Sequence, residues 1–172
     1  STKSSLILRD IELINELSKI TYVNIACTII TVDDDLRKII EPGSSPIIER
    51  FKVIDQIKKE TKAHAGIHIM PIIPYLTDQP GNLNGLYKMA KKVNADYVLP
   101  GTLYLRGQTK PYFLKLYKKN IIMIYIKKIA SLYYQKNALK TYKPKIYQTI
   151  SELRKIYDLP AQAKRSPKDQ NL

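Results

Sequence analysis

The sequence predicts an α/β chain built on a parallel sheet, and three observations carry that prediction. Short β-branched apolar runs recur at Tyr22–Ile30, Ile67–Ile73 and Tyr97–Leu99, each too short for an ordinary helix. Segments with helical apolar spacing separate them, which gives the alternation that parallel sheets require. Beyond Pro111 the strand pattern stops and only helical periodicity remains. The expected architecture is a partial parallel (β/α) barrel of about three strands, residues 1–106, followed by a helical basic extension, 107–160, and a disordered polar tail, 161–172.

In chain order, Asp10 is placed to cap a helix whose Leu13, Ile14, Leu17 and Ile20 share roughly one face. The strand Tyr22–Ile30 follows. Asp33, Asp34 and Asp35 then put negative charge at the start of a short helix ending near Ile40, where the macrodipole favours it. Glu41-Pro42-Gly43-Ser44-Ser45-Pro46 reads as a helix stop and a fresh start. The next helix, 47–65, carries Ile47, Phe51, Ile54 and Ile57 and is expected to end at Gly66. The strand Ile67–Ile73 runs into Pro74. Asn82 is expected to cap an amphipathic helix with Leu83, Leu86, Tyr87, Ala90 and Val93 on one face. The third strand is expected to stop at Pro100-Gly101. In the second half, Leu114, Tyr117, Ile121, Ile124, Tyr125, Ile129 and Leu132 recur at mostly helical intervals, with Asn120 placed to break the run into two helices. Pro144 suits the first turn of a last helix carrying Ile146, Ile150, Leu153, Ile156 and Tyr157.

Strand–helix–strand units of this kind hold ligands at the carboxyl ends of their strands, so 28–41 and 71–78 are the stretches of interest. Three strands alone leave edges and one face to be covered. Together with the abrupt start at Ser1, this points to a piece of a larger barrel. Exposed interior is expected near Val23, Ile25, Ile69 and Val98, covered by self-association, by a missing N-terminal part of the same protein, or by the C-terminal helices.

Composition narrows the class. One cysteine in 172 residues excludes a disulfide framework and an all-cysteine metal cluster. No apolar run reaches the length of a membrane span, and the expectation is a soluble cytoplasmic protein without a membrane partner. The net charge of +14 is uneven: residues 1–100 carry 13 basic and 12 acidic side chains, residues 101–172 carry 16 and 3. Nine of the 13 tyrosines also lie in the second part. Lys115, Lys118, Lys119, Lys127 and Lys128, interleaved with Tyr112, Tyr117, Tyr125, Tyr133 and Tyr134, form a candidate nucleic-acid surface, lysines on phosphates and tyrosines on unpaired bases. An equally open reading packs the tyrosines into the core and leaves the lysines as solvated faces.

Other chemistry-bearing residues are weaker. His64 and His68 are four apart, but Gly66 between them breaks a helical metal-binding spacing. Cys27, in the middle of a strand, reads as a small buried hydrophobe. The stretch Gly81–Gly85 has neither a phosphate-loop lysine nor dinucleotide spacing.

One set of motifs goes further. Thr2-Lys3-Ser4 with Arg9-Asp10, Thr31-Val32-Asp33, Glu41-Pro42-Gly43, Arg50, and Pro71-Ile72-Ile73-Pro74 with Asp78 resemble radical S-adenosylmethionine (radical SAM) proteins. The closest branch is similar to spore photoproduct lyase, the DNA repair photolyase group. The resemblance covers roughly residues 1–106. It implies a full or partial (β/α) barrel, an iron–sulfur 4Fe-4S cluster, S-adenosyl-L-methionine and a lyase-like parent enzyme. It also implies cofactor-binding roles for Lys3, Thr28, Glu41 and Arg50: Lys3 and Thr28 toward the methionyl carboxylate, Glu41 and Arg50 as a pair. The departure is the cluster loop, which needs three cysteines where this chain has one. That loop is expected N-terminal of Ser1. The chain by itself is expected to hold no cofactor or metal, to have no catalytic residue and to be inactive. The alternative is a non-catalytic nucleic-acid-binding module on a half-barrel scaffold.

Overall fold

The computed structural model describes residues 1–117, 123–135 and 138–163. Its centre is an open, three-stranded parallel sheet, β1 (Asn24–Thr28), β2 (His64–Ile72) and β3 (Tyr97–Thr102), in that spatial order. A short 3-10 turn, Ser5–Asp10, and helix α1 (Ile11–Ile20) precede it. Helices α2 (Asp34–Ile40) and α3 (Ile47–Glu60) cross from β1 to β2, and α4 (Pro80–Lys92) crosses from β2 to β3. Thr2 adds one parallel bridge outside β1: its N–H donates to Ala26 O at 2.8 Å and its carbonyl accepts from Thr28 N at 2.9 Å.

Strand alternation gives the sheet two unlike faces. Cys27, Ala65, Ile67, Ile69 and Val98 share one buried cluster with Phe51, Ile54 and Ile57 of α3 and Leu83, Leu86, Tyr87 and Ala90 of α4. The other face carries Asn24, Ala26 and Thr28 of β1, His64, Gly66, His68 and Met70 of β2, and Tyr97 and Leu99 of β3. This corrects the expectation for the exposed interior. Ile69 and Val98 are fully buried on the helix side, and Val23 and Ile25 pack against the same cluster.

The glycine in β2 explains the second face. A Cβ at Gly66 would lie 2.2 Å from the Tyr97 ring, so the missing side chain is what lets that ring lie across β2 from β3. The Tyr97 hydroxyl then reaches β1, donating to Asn24 Oδ1 at 3.2 Å, and meets His68 Nε2 at 3.3 Å. Gly66 is therefore a strand residue and not a helix stop. Helix α3 ends earlier, at Glu60, because both the N–H and the hydroxyl of Thr61 close onto Ile57 O. His64 opens the strand.

Four other expectations shift for local reasons. Asn82 lies inside α4, with Gln79 at the N-cap and Pro80 first in the helix. Asn82 instead bonds Ile30 O, Thr77 O and Val32 N, tying α4 to the segment after β1. β3 continues through Pro100 and Gly101, which an edge strand tolerates. Asp10 holds the N-cap place of α1 without a capping bond, since its carboxylate takes both Arg9 Nε and Nη2. On α1 only Ile14 is buried, while Leu13, Leu17 and Ile20 are exposed.

The second half supplies α5 (Thr109–Tyr117), α6 (Met123–Tyr134) and α7 (Ala138–Tyr157). Ile30, Ile73 and Leu103, which follow the three strands, form a second buried cluster with Ile126, Ile129, Leu132 and Tyr133. These helices thus pack against the carboxyl ends of the sheet. α7 starts upstream of Pro144, which sits inside it; Ala138, Leu139 and Tyr142 pack on the second cluster and offset the lost backbone bond. Farther along, Ile150 and Leu153 enter the first cluster, while Ile156 is exposed. Asn120, Ile121 and the tail beyond residue 163 lie outside the described residues. Among the described residues no helix is long and apolar enough to cross a membrane.

Two predictions follow from this packing. Gly66→Ala is expected to cost about 1–3 kcal/mol in denaturant unfolding, as overpacking does. Gly66→Ala combined with Tyr97→Leu is expected to recover part of that loss; strict additivity would place the clash elsewhere. The second concerns alkali. Burial pushes the Tyr87 phenol up to about 12 and those of Tyr133 and Tyr142 up as well, the last also through Asp78. The unfolded chain releases such protons near pH ~10. The stability they contribute is complete below that pH and lost as pH rises toward the folded values, so unfolding midpoints are expected to fall steadily above pH ~10.

Candidate functional site

At the carboxyl end of β1 the chain buries an arginine. Arg50, in the first turn of α3, is fully inaccessible, and its Nη1 donates to Thr28 O at 2.7 Å and to Glu41 Oε2 at 2.9 Å. Its Nε has no hydrogen-bond partner. The Glu41 side chain is 8% exposed, and its other oxygen lies 3.8 Å from Lys3 Nζ, whose side chain is 46% exposed. The Thr28 hydroxyl is 3.2 Å from Ser1 Oγ. The four residues singled out in the sequence, Lys3, Thr28, Glu41 and Arg50, therefore meet at one point. Each comes from a different segment.

The loop between α2 and α3 is held from its far side by a second buried arginine that the sequence reading passed over. Arg37 grips Asp34 through Nε and Nη2, and its Nη1 donates to Ser44 O at 2.8 Å. Asp34 also accepts the Ile47 N–H, and these bonds, Arg37 first, hold its carboxyl below the usual range. Ser45 N–H donates to Lys3 O at 3.0 Å, fastening the N-terminal segment to the same loop.

Beside this cluster lies a cavity of about 380 Å³. Lys3 and Glu41 give it a charged side, and Ile30, Ile40, Ile73 and Phe113 give it apolar walls. Phe113 belongs to α5, so the helical half completes a cavity that the sheet begins. Nothing in the sequence signals that contact, because it joins segments far apart in the chain. The cavity suits a small molecule with an apolar body and an anionic end, which Lys3 can meet.

The remaining candidates fall elsewhere. Cys27 is wholly buried, and burial pushes its thiol up to about 12, the opposite of an activated nucleophile. His64 and His68 both lie on β2. His64 Nδ1 is 3.6 Å from Asp96 Oδ2, while His68 meets Tyr97, and partial burial lowers the His68 pKa. Among the described residues no group of three or more His, Cys, Asp or Glu is placed to hold a metal ion. Lys115 on α5 and Lys127 and Lys128 on α6 are exposed; Lys118 and Lys119 lie outside the described residues.

No family model matches the chain, and neither does any solved structure. It does match uncharacterized proteins of Mycobacterium bovis and of two strains of Mycobacterium tuberculosis. Each is 30% identical over 115 residues, 66% of this chain and 33% of the relative. The chain thus spans about a third of the length of the curated relatives it matches.

The cluster makes a stability prediction that separates its members. Glu41→Gln leaves the Arg50 charge buried without its counter-ion and is expected to cost about 3–5 kcal/mol. Lys3→Gln removes only a long, half-exposed ion pair and is expected to cost at most about 1 kcal/mol. Urea unfolding of both variants measures the difference, and equal costs would mean that the two ion pairs carry equal weight.

Proposed function

We propose that these 172 residues are part of a radical SAM protein similar to the spore photoproduct lyase group, in which the three-stranded sheet is one segment of a parallel (β/α) barrel. The observation that supports this reading most is the convergence of Lys3, Thr28, Glu41 and Arg50 beside a cavity at the carboxyl end of β1. That end is where parallel α/β sheets bind ligands. Lys3 is the cation available to a methionyl carboxylate, and the Thr28 hydroxyl lies at the carboxyl end of β1, 3.2 Å from Ser1 Oγ. Arg50 and Glu41 act as the rigid support, since each is buried and committed to the other. The apolar walls accept the less polar part of the cofactor.

Bound at a 4Fe-4S cluster, S-adenosylmethionine supplies hydrogen-abstraction chemistry. The cluster itself does not fit the residues present, because three thiolates are needed and the single cysteine is sealed in the core. The parent protein supplies that loop from outside these residues, and this chain alone is inactive. Anaerobic reconstitution with iron and sulfide is expected to leave this chain without a four-iron cluster. In a longer form carrying the cysteine loop, Lys3→Gln is expected to weaken S-adenosylmethionine binding by roughly tenfold or more. About four irons on the present chain, or unchanged affinity in that variant, would overturn the reading.

A second reading, a nucleic-acid-binding module, has its own supporting observation. Residues 97–151 contain no acidic side chain at all. Among the described residues, every ion pair lies within the first 96 positions. The exposed lysines of α5 and α6, Lys115, Lys127 and Lys128, are thus uncompensated positive charge, available to a polyanion.

A further inference from the structure

We propose that the basic half takes unpaired rather than duplex nucleic acid, with Tyr112 and Tyr134 as stacking faces and Lys115 toward the phosphates. This rests on the second reading above and specifies its ligand. The fold divides the tyrosines into two groups. Tyr133 is buried, with its hydroxyl donating to Leu103 O, and Tyr142 donates to Asp78 Oδ2 at 2.9 Å. These two hold α6 and α7 against the sheet and are unavailable to a ligand.

Tyr112 and Tyr134 are the opposite case, 68% and 61% exposed. Lys110 ties α5, the helix that carries Tyr112, to Tyr134. Its Nζ donates to Tyr133 O at 3.0 Å and lies 4.4 Å from the Tyr134 ring centroid, so the start of α5 is clamped to the end of α6. Beside Tyr112 a cleft of about 460 Å³ is lined by Gln108, Thr109, Pro111 and Lys115. Rings set among uncompensated cations suit a strand whose bases are free to stack. A duplex hides its base faces and offers only phosphates and edges, leaving the rings without a role. An anionic membrane would call for aliphatic side chains, yet among the described residues of 103–135 one large aliphatic, Ile124, is exposed beside three tyrosines, Tyr104, Tyr112 and Tyr134.

Fluorescence anisotropy of the full chain with an oligothymidylate, a hairpin duplex and, separately, phosphatidylserine-containing vesicles tests this. The single strand is expected to bind tighter than the duplex. Tyr112→Ala and Tyr134→Ala are each expected to weaken it by roughly 5- to 150-fold, with little change on duplex. Tyr112→Phe should bind like the wild type. Lys115→Gln should flatten the salt dependence by about one unit on either ligand. A thermal melt accompanies each variant. Where alanine lowers the melting temperature, Tyr112→Leu keeps the bulk without the aromatic face and gives the same comparison. Equal affinity for duplex, untouched by the tyrosine changes, would overturn the stacking and leave the second reading intact. A folded chain that binds neither nucleic acid at low salt, or binds the vesicles alone, would overturn both.

Discussion

A charged guanidinium sealed away from water is the constraint on which much of this structure depends. Burying such a group costs several kcal/mol, and only partners of good geometry offset it. Arg50 finds them in Glu41 and in the carbonyl of Thr28. Satisfying one side chain therefore holds the end of β1, the start of α3 and the end of α2 in a single arrangement. Arg37, clasping Asp34 and Ser44, holds the same loop from its other side. Lys3 and Ser45 then bring in the N-terminal segment. The polar wall of the cavity is in this way built before any ligand arrives.

The sheet shows how one missing side chain can organise a surface. Its helix side is uniformly apolar, as parallel strands require. Its other side is mixed, with Ala26, Met70 and Leu99 beside Asn24 and His68, and there Gly66 leaves a slot in which the Tyr97 ring lies across β2. The hydroxyl then joins Asn24 and His68 on the other two strands. At the carboxyl ends the helices of the second half take over, and Phe113 of α5 closes a cavity that begins with residues of the first half. The two parts of the chain are thus joined through a site as well as through the core, where Ile150 and Leu153 of α7 pack with α4.

Charge is handled differently in the two halves. In the first 96 residues basic groups meet acidic ones across helix turns and at the strand ends. Past that point acidic residues do not recur before Glu152, and among the described residues no ion pair is formed there. The tyrosines there are split between two tasks. Tyr133 is buried and Tyr142 partly buried, with hydroxyls tied to the sheet's loops, whereas Tyr112 and Tyr134 stand in solvent, Tyr134 beside Lys110.

Element type and order were legible in the amino-acid sequence, because apolar spacing reports helix and strand directly. The strand at Tyr22–Ile30, the Asp33 cap, whose carboxylate accepts from Asp35 and Leu36, and the buried stripe of α4 are all local signals. Lys3, Thr28, Glu41 and Arg50 were grouped only through the family resemblance, and the contacts among them, Arg50 to Glu41 and to the Thr28 carbonyl and Lys3 to Glu41, came from the fold. Boundaries were less legible wherever a partner distant in sequence decides them. Gly66 belongs to a strand because Tyr97 needs its space, and Asn82 leaves the cap position because carbonyls at Ile30 and Thr77 claim its amide. The sequence by itself determined which residues were able to be helix, strand or charge carrier, since those are properties of short stretches of chain. Only the tertiary structure decided which face of the sheet is dry, which tyrosines reach solvent and that Phe113 lines the cavity, since each depends on contacts between residues that the chain keeps far apart.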